Sequence, residues 1–429
     1  MPPPRVFLIY QAFDGFAYML MGTIVSVYLI VEANLQPFRL VILGTILEAT
    51  VLIFEVPTGV LADTVSRRLS VVIGALVTGL GFIVLGLAPS FATAVFSQLM
   101  WGIGYTFISG ADIAWITDEV GEERARPLYL RGSQVWLGAS LAGIVAAASL
   151  ATVSLGLPIF LSGVTSLAMA VFLGLFMREE NFHPAPSGER KRPRLRDTVK
   201  SALSLRRRHP VLLLILSVAV FQGMSTEAFD RLAHFHFLRG IGLPSLGGLD
   251  TVLWFGILEG GGLLLGIIAV EIVRRKVDID SHVSAAKALA VIDVLLIVAM
   301  VAFGATDHFW VGLGLFWVIA LLREANDPVF TAWINQGLDP STRATVNSMW
   351  GQADAFGQVL GGPVIGFIAQ ARAVGTAIIV AGVCRAPALG LFARAIRRGT
   401  VGTQSPDEMT KVEVQPGHID IAGVDQPKD

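Results

Sequence analysis

The sequence predicts an all-α membrane protein, with twelve transmembrane helices in two pseudo-symmetric six-helix bundles. Three observations lead there. Hydrophobic residues make up 54% of the 429-residue chain and charged residues 15%, against about 25% charged in a soluble domain. The apolar residues gather into long runs separated by short polar segments. Short motifs of the first half then recur in the second.

An apolar run of about 20 residues can cross a bilayer as a helix. The first run, 6–30, follows Arg5; it is too long for the apolar core of a signal peptide and lacks a clear cleavage site. The second, 39–62, opens at Arg39 and closes on Asp63, and the third, 69–88, follows Arg67-Arg68. The fourth, 91–117, ends at Asp118; the fifth, 131–153, opens at Arg131; the sixth, 156–177, stops at Arg178. A polar stretch rich in Arg, Lys and Pro, 178–209, is expected to be a cytoplasmic linker. The seventh run, 210–238, closes before Arg239, and the eighth, 249–273, is followed by Arg274-Arg275-Lys276. The ninth, 283–304, and tenth, 308–336, lead to the eleventh, 344–370, which follows Arg343. The twelfth, 373–396, lies between Arg372 and Arg397-Arg398, and a polar tail, 399–429, is expected to be disordered. The expected domains are therefore a bundle at 1–177, the linker, a bundle at 210–398 and the tail.

Basic residues near span ends set orientation. One side collects Arg5, Arg67, Arg68, Arg124, Arg126, Arg131, Arg178, the linker cluster, Arg274, Arg275, Lys276, Arg343, Arg397 and Arg398. The other keeps Arg39, Arg239 and Arg372, so both termini are expected in the cytoplasm. The halves echo each other as well. Tyr10-Gln11 recurs as Phe221-Gln222 and Ile46-Leu47-Glu48 as Ile257-Leu258-Glu259, both at an offset of 211. Ala114-Trp115-Ile116 recurs as Ala332-Trp333-Ile334 at 218. Parallel six-helix halves around a midplane site are one transporter architecture.

Several functions are excluded or disfavoured. Mean hydropathy of +0.67 leaves no room for a large aqueous domain. Basic residues sit in short loops rather than in a nucleic-acid-binding patch, and Cys384 is the only cysteine, so no internal disulfide forms. There is no Gly-x4-Gly-Lys-Ser/Thr loop and no nucleophile–base constellation, so an enzyme is not expected. His234-x-His236 alone does not make a metal site, and no cofactor is implied.

The informative stretch is 46–68. Glu48 and Glu55 lie two helical turns apart, about 10 Å, on one face of the second span. An ionised carboxylate at the bilayer centre costs roughly 2.5–3.5 kcal/mol or more. Two of them suit an inert anchor poorly and make candidates for proton carriage, with a structural hydrogen bond to a neighbouring helix as the alternative.

Gly59-Val60-Leu61-Ala62-Asp63-Thr64-Val65-Ser66-Arg67-Arg68 resembles the loop signature between helices two and three of the major facilitator superfamily, whose pattern usually has Gly where Ser66 stands. The longer form Glu55-x-Pro57-x5-Asp63-x3-Arg67-Arg68 resembles a drug-efflux subgroup that includes two-glutamate tetracycline efflux proteins. The resemblance implies a gating latch. Gly59 would admit a close helix, Asp63 would sit near the amino-terminal end of helix eleven, and Arg67 and Arg68 would pair with acids such as Asp118, Glu119 or Glu122. Two departures stand out. Many proton-driven members carry an Arg in helix four where Gln98 precedes Gly102, and many antiporters carry Gly-Pro in helix five where Gly138 to Gly143 has no proline. Gly361-Gly362-Pro363 stands in helix eleven instead.

Further charges lie within the spans. Asp14 occupies the place where family members commonly put a protonatable or substrate-binding acid, and Glu259 matches Glu48 by pseudosymmetry. Glu227–Arg231 and Asp230–His234 are each spaced to pair within a helix, as are Arg323 and Asp327. Arg323 is a candidate counter-ion for a membrane carboxylate. Asp354, near Gln352 and Gln358, is a candidate cavity residue; Asp112 and Asp293 are single acids. Trp115, Trp310 and Trp333 read as interface anchors, and Trp136 and Trp350 as packing or an aromatic wall.

The resemblance implies a secondary transporter that exports small amphipathic molecules or drugs by alternating access, coupled to protons. An importer or lipid-moving transporter of the same fold stays open. So does a receptor or scaffold that no longer transports, although this chain retains many intramembrane charges. The expected partners are a small-molecule substrate, protons and the lipid bilayer, without nucleic acid. The expected form is a monomer in a bacterial or archaeal cell (inner) membrane.

Overall fold

The computed structural model describes residues 1–184, 210–244, 251–278, 281–336 and 340–399. Regular structure among them is all helical: α1 (Pro3–Val31), α2 (Pro37–Thr64), α3 (Arg67–Leu87), α4 (Phe91–Ile108), α5 (Ala111–Val120), α6 (Glu122–Ala151) and α7 (Gly156–Phe176). Then come α8 (Pro210–Phe235) with a π-helical turn (His236–Ile241), α9 (Thr251–Lys276), α10 (His282–Ala305), α11 (Phe309–Asn335), α12 (Pro340–Ala371), α13 (Val374–Val383) and α14 (Ala386–Gly399). The expected linker from 185 and the tail from 400 lie outside the described residues.

Local chemistry sets the ends. Pro3 and Pro37 occupy the first turn, where a missing N–H is harmless. Ser66, Ser90 and Ser281 cap α3, α4 and α10 by accepting backbone N–H bonds. Two expected spans are interrupted. The fourth is split into α4 and α5 at Ser109-Gly110, where Gly110 takes φ +77°. The last is split into α13 and α14 at Cys384-Arg385. The fifth starts at Glu122 rather than 131, because Gly121 (φ +82°) turns the chain directly into α6.

With α4 and α5 counted as one span and α13 and α14 as another, 11 spans among the described residues are long and apolar enough to cross a membrane. The 32-residue α12 carries Asn347, Gln352, Asp354 and Gln358, so it has the length without that apolarity. Large apolar side chains face outward, among them Ile53, Leu80, Val145, Leu175, Val298 and Phe367. Such a surface is stable against lipid, not water. The protein is an integral membrane protein.

Helix α1 packs on α6 and α7, α3 on α4 and α7, and α2 on α4. Farther along, α8 packs on α12, α11 on α9 and α10, and α10 on α13 and α14. The first set (α1–α7) meets the second (α8–α14) chiefly through α2 with α12 and α8, and α6 with α9. These contacts gather on the far side, opposite the chain's amino terminus, where α2 begins. A Cβ on Gly362 would fall 2.5 Å from Thr45 Oγ1, and one on Gly366 3.1 Å from Val41 Cβ. Only glycine lets α12 come this close to α2.

Two tryptophans expected at the membrane interface are buried instead. Trp115 is 2% exposed and donates Nε1–H to the Arg178 carbonyl at 2.7 Å. Trp333, 1% exposed, stacks on His282. Trp310 is exposed, as an anchor would be.

Candidate functional site

In the first set, interior acids are partnered by neutral donors. Trp136 Nε1 on α6 donates to Asp14 Oδ2 on α1 at 2.9 Å. Tyr10 Oη on α1 donates to Asp112 Oδ2 on α5 at 3.4 Å. One turn beyond Asp14, the Tyr18 ring lies 5.9 Å from Trp136 and 6.2 Å from Trp101. Tyr18 is exposed although it sits mid-helix. It lies within electrostatic reach of Asp14, Asp230, Glu259 and Arg231. Tyr105 is also accessible, and lies within electrostatic reach of Glu48, Glu55 and Asp112.

In the second set, Asp230, Glu259 and Asp293 are matched to basic side chains and Asp354 to an amide. Arg323 on α11 donates through both terminal nitrogens to the Asp230 carboxylate on α8, one contact being 3.0 Å. His234 Nε2 lies 3.0 Å from Glu259 Oε1, though the two are not aligned as a hydrogen bond. Arg385, at the break between α13 and α14, donates Nε–H to Asp293 Oδ1 at 2.7 Å, and both residues are buried. Gln358 Nε2 donates to Asp354 Oδ2 at 2.8 Å. The expected pairs Asp230–His234 and Arg323–Asp327 thus give way to pairs between helices. Packing brings those partners nearer than the helical repeat does.

The two sets meet at Glu227 and Arg231. Arg231 Nε donates to Glu227 Oε1 at 2.8 Å, the expected pair within α8. Its Nη2 also reaches Gln98 Oε1 on α4 at 3.4 Å. The pair is seated against α2 at Gly44, where an added Cβ would lie 1.2 Å from Glu227 Oε1. Glu48 stands one turn further along α2, within electrostatic reach of Glu227, Asp354, Arg231 and Glu55. Of the interior candidates, Glu55, Glu227 and Asp354 lie within electrostatic reach of Glu48, Asp14 and Glu259 within reach of Tyr18, and Arg323 is bound to Asp230. Sequence reasoning passed over Gln98 as a partner, Gly44, Trp101 and Arg385. The first three carry no charge, and Arg385, in the middle of the twelfth run, has no acid at helical spacing.

The signature loop is tied into the first set. Arg67 donates to the Asp118 carboxylate and to the Ala114 carbonyl, the latter at 2.8 Å. Arg68 donates to the Gly174 carbonyl rather than to an acid. Glu179 Oε1 accepts the backbone N–H of Arg67 at 2.7 Å, and its other oxygen accepts from Ser66 Oγ. Ser66 itself accepts from Leu69 N, so the residue that replaces the family's usual Gly is a helix cap. Gly59 is buried and Asp63 half-buried at the end of α2. Residues 337–339, just before α12, lie outside the described residues. Glu179 gave no signal in the sequence, standing among linker charges more than a hundred positions away.

The Major Facilitator Superfamily model matches residues 7–322. The uncharacterized MFS-type transporter YxaM of Bacillus subtilis (strain 168) is 22% identical over 383 residues, 88% of this chain and 92% of that protein. Among solved structures, nucleoside transporter NupG is similar at TM-score 0.73 and 13% identity, covering 92% of this chain and 100% of that one. A bacterial homolog of the human lysosomal transporter Spinster, inward-facing and unoccupied, gives TM-score 0.68 at 14% identity, covering 94% and 98%. At these identities the structures show the fold alone. The family match covers most of the chain, and the chain belongs to the major facilitator superfamily.

Proposed function

We propose that this member of the major facilitator superfamily is a proton-coupled exporter of small amphipathic molecules, working by alternating access between two pseudo-symmetric six-helix bundles. The observation that carries the reading is the convergence of Glu48, Glu227, Arg231 and Asp354 where the two helix sets meet. Charge there is costly in lipid and useful only if it titrates, pairs with cargo or moves.

The lining points to the kind of cargo. Asp14, Asp112, Glu48 and Glu55 bring negative charge from the first set, beside the accessible rings of Tyr18 and Tyr105. Carboxylates beside aromatic faces suit an amphipathic molecule bearing a cationic group. Protons and such a cation would then compete for the same acids, which is the logic of exchange.

Asp63, Arg67, Arg68 and Gly59 form the proposed gating signature. Arg67 and Arg68 hold the loop to the first set, and Asp63 is assigned to the α12 end in the state closed on that side. The arginine-rich ends support termini in the cytoplasm, in a bacterial inner membrane, and the protein is proposed to act as a monomer. The direct test is a drug-and-metabolite accumulation screen in cells with and without the protein. It is repeated after collapsing the proton gradient. Accumulation that is lowered by the protein, and restored by the collapse, supports the reading; no change for any compound class opposes it.

A further inference from the structure

We propose that Arg231 is the counter-ion of Glu48, supplied by the second helix set in place of the arginine that α4 lacks at Gln98. The inference rests on the proton-coupled reading above. Three observations carry it. Arg231 Nη2 donates to Gln98 Oε1, so its guanidinium lies at the Gln98 position although its backbone belongs to α8. The Glu227–Arg231 pair sits in the notch at Gly44, one turn from Glu48 on the same face of α2. Arg323 is bound through both terminal nitrogens to Asp230 and is committed elsewhere.

The groups facing Glu48 fix its choice of partner. They are Glu55 on its own helix, Tyr105 on α4, Glu227 and Arg231 on α8, and Asp354 on α12. Arg231 is the one cation among them. A guanidinium has five N–H donors; the Glu227 and Gln98 bonds use two. Arg231 therefore has the capacity to serve Glu227 and Glu48 together, and it does so only while α8 lies against α2 and α4.

That geometry links protonation to movement. When the far side opens, α8 parts from α2 and α4, and the Arg231–Gln98 bond breaks. Glu227 travels with Arg231, because both are on α8. Glu48 stays behind on α2 without its cation, and a proton takes the cation's place. Closing returns Arg231 to Glu48 and releases the proton. Arg231 is thus a positioning residue for the coupling step.

The test uses the full chain in lipid nanodiscs, in a Cys384→Ser background, with spin labels at Glu32→Cys and Arg372→Cys on the far side. Protons alone are the probe, and the open fraction is read from the distance distribution as pH is varied. With Arg231 present the open fraction should depend on pH, and Arg231→Gln should weaken that dependence by about fivefold or more. Adding Gln98→Arg to Arg231→Gln should restore it, because the charge returns to the same place from the other helix. Arg231→Lys should retain part of it. An unchanged dependence in Arg231→Gln overturns the inference alone, as does failure of the charge relocation in a protein that still labels and elutes as a monodisperse species. A flat response with Arg231 intact overturns the proton-coupled reading itself.

Discussion

The two helix sets hold the acids of their spans in different ways. In the first, Asp14 and Asp112 rest on Trp136 and Tyr10, donors that carry no charge. In the second, Glu227, Asp230 and Asp293 rest on Arg231, Arg323 and Arg385. A carboxyl group held by a neutral donor can gain or lose a proton without orphaning a cation. One locked to an arginine cannot, since its neutralisation strands a buried guanidinium. The first set is therefore suited to titration and the second, apart from Asp354 on its neutral Gln358 donor, to holding shape, with Glu48 and Arg231 at the boundary. This division gives the predictions below their order.

The largest effect should come from Asp293 and Arg385. Both are buried, and removing one partner of such a pair costs about 3–5 kcal/mol. Arg385→Met should sharply lower thermal stability in detergent, and the double variant Arg385→Met, Asp293→Leu should recover much of the loss. A single variant as stable as the parent protein would show that the second set does not depend on its ion pairs.

Next comes coupling. Gln at Glu48 or Glu55 mimics the protonated acid and removes the titration. Gradient-driven transport should fall by about tenfold or more, while substrate binding and gradient-free exchange partly survive. Asp14→Asn should behave in the same way. The measurement is proton flux in proteoliposomes on adding a substrate found by the accumulation screen. Undiminished flux in the double Glu48→Gln, Glu55→Gln variant would move the coupling site to the second set, with Glu227 the next candidate.

How much of this was legible follows the same division between local and distant. Helix positions were readable because each depends on a contiguous apolar run, and Glu227–Arg231 and Arg67–Asp118 were readable from local spacing and from a known loop pattern. Arg323 with Asp230, Arg231 with Gln98 and Glu179 with Ser66 were not. Each depends on which faces two distant helices turn to each other, and one sequence carries no measure of that register. The breaks at Gly110 and Cys384-Arg385 were missed for another reason. Each is one or two polar or small residues inside a long apolar run, which hydropathy averaged over a span does not register as a change of backbone direction.

A smaller effect tests the neutral donors. Trp136→Phe keeps the aromatic wall beside Tyr18 and removes the N–H that Asp14 accepts. A neutral hydrogen bond contributes about 0.5–1.5 kcal/mol. Substrate affinity should therefore shift by about two- to tenfold while the fold is retained, whereas Trp136→Ala should also lose packing. Equal affinities for the parent and the Phe variant would remove Asp14 from the substrate site.

The smallest expected effect asks whether the signature loop serves one helix set or both. Arg67, Ser66 and the backbone at Arg67 and Arg68 all bond within the first set, to Asp118, Ala114 and Glu179. If Asp63 belongs to that same local frame, Asp63→Asn should lower stability and leave transport per folded molecule unchanged. If it instead favours the closed state by facing the positive end of α12, stability should hold and the rate should fall. An acid near a helix amino terminus contributes about 0.3–1 kcal/mol, so the second case predicts a loss of about two- to fivefold. Measuring the melting temperature and the initial transport rate on the same preparation separates the two. A lowered melting temperature with an unchanged rate would confine the signature to the first set and remove Asp63 from the gate.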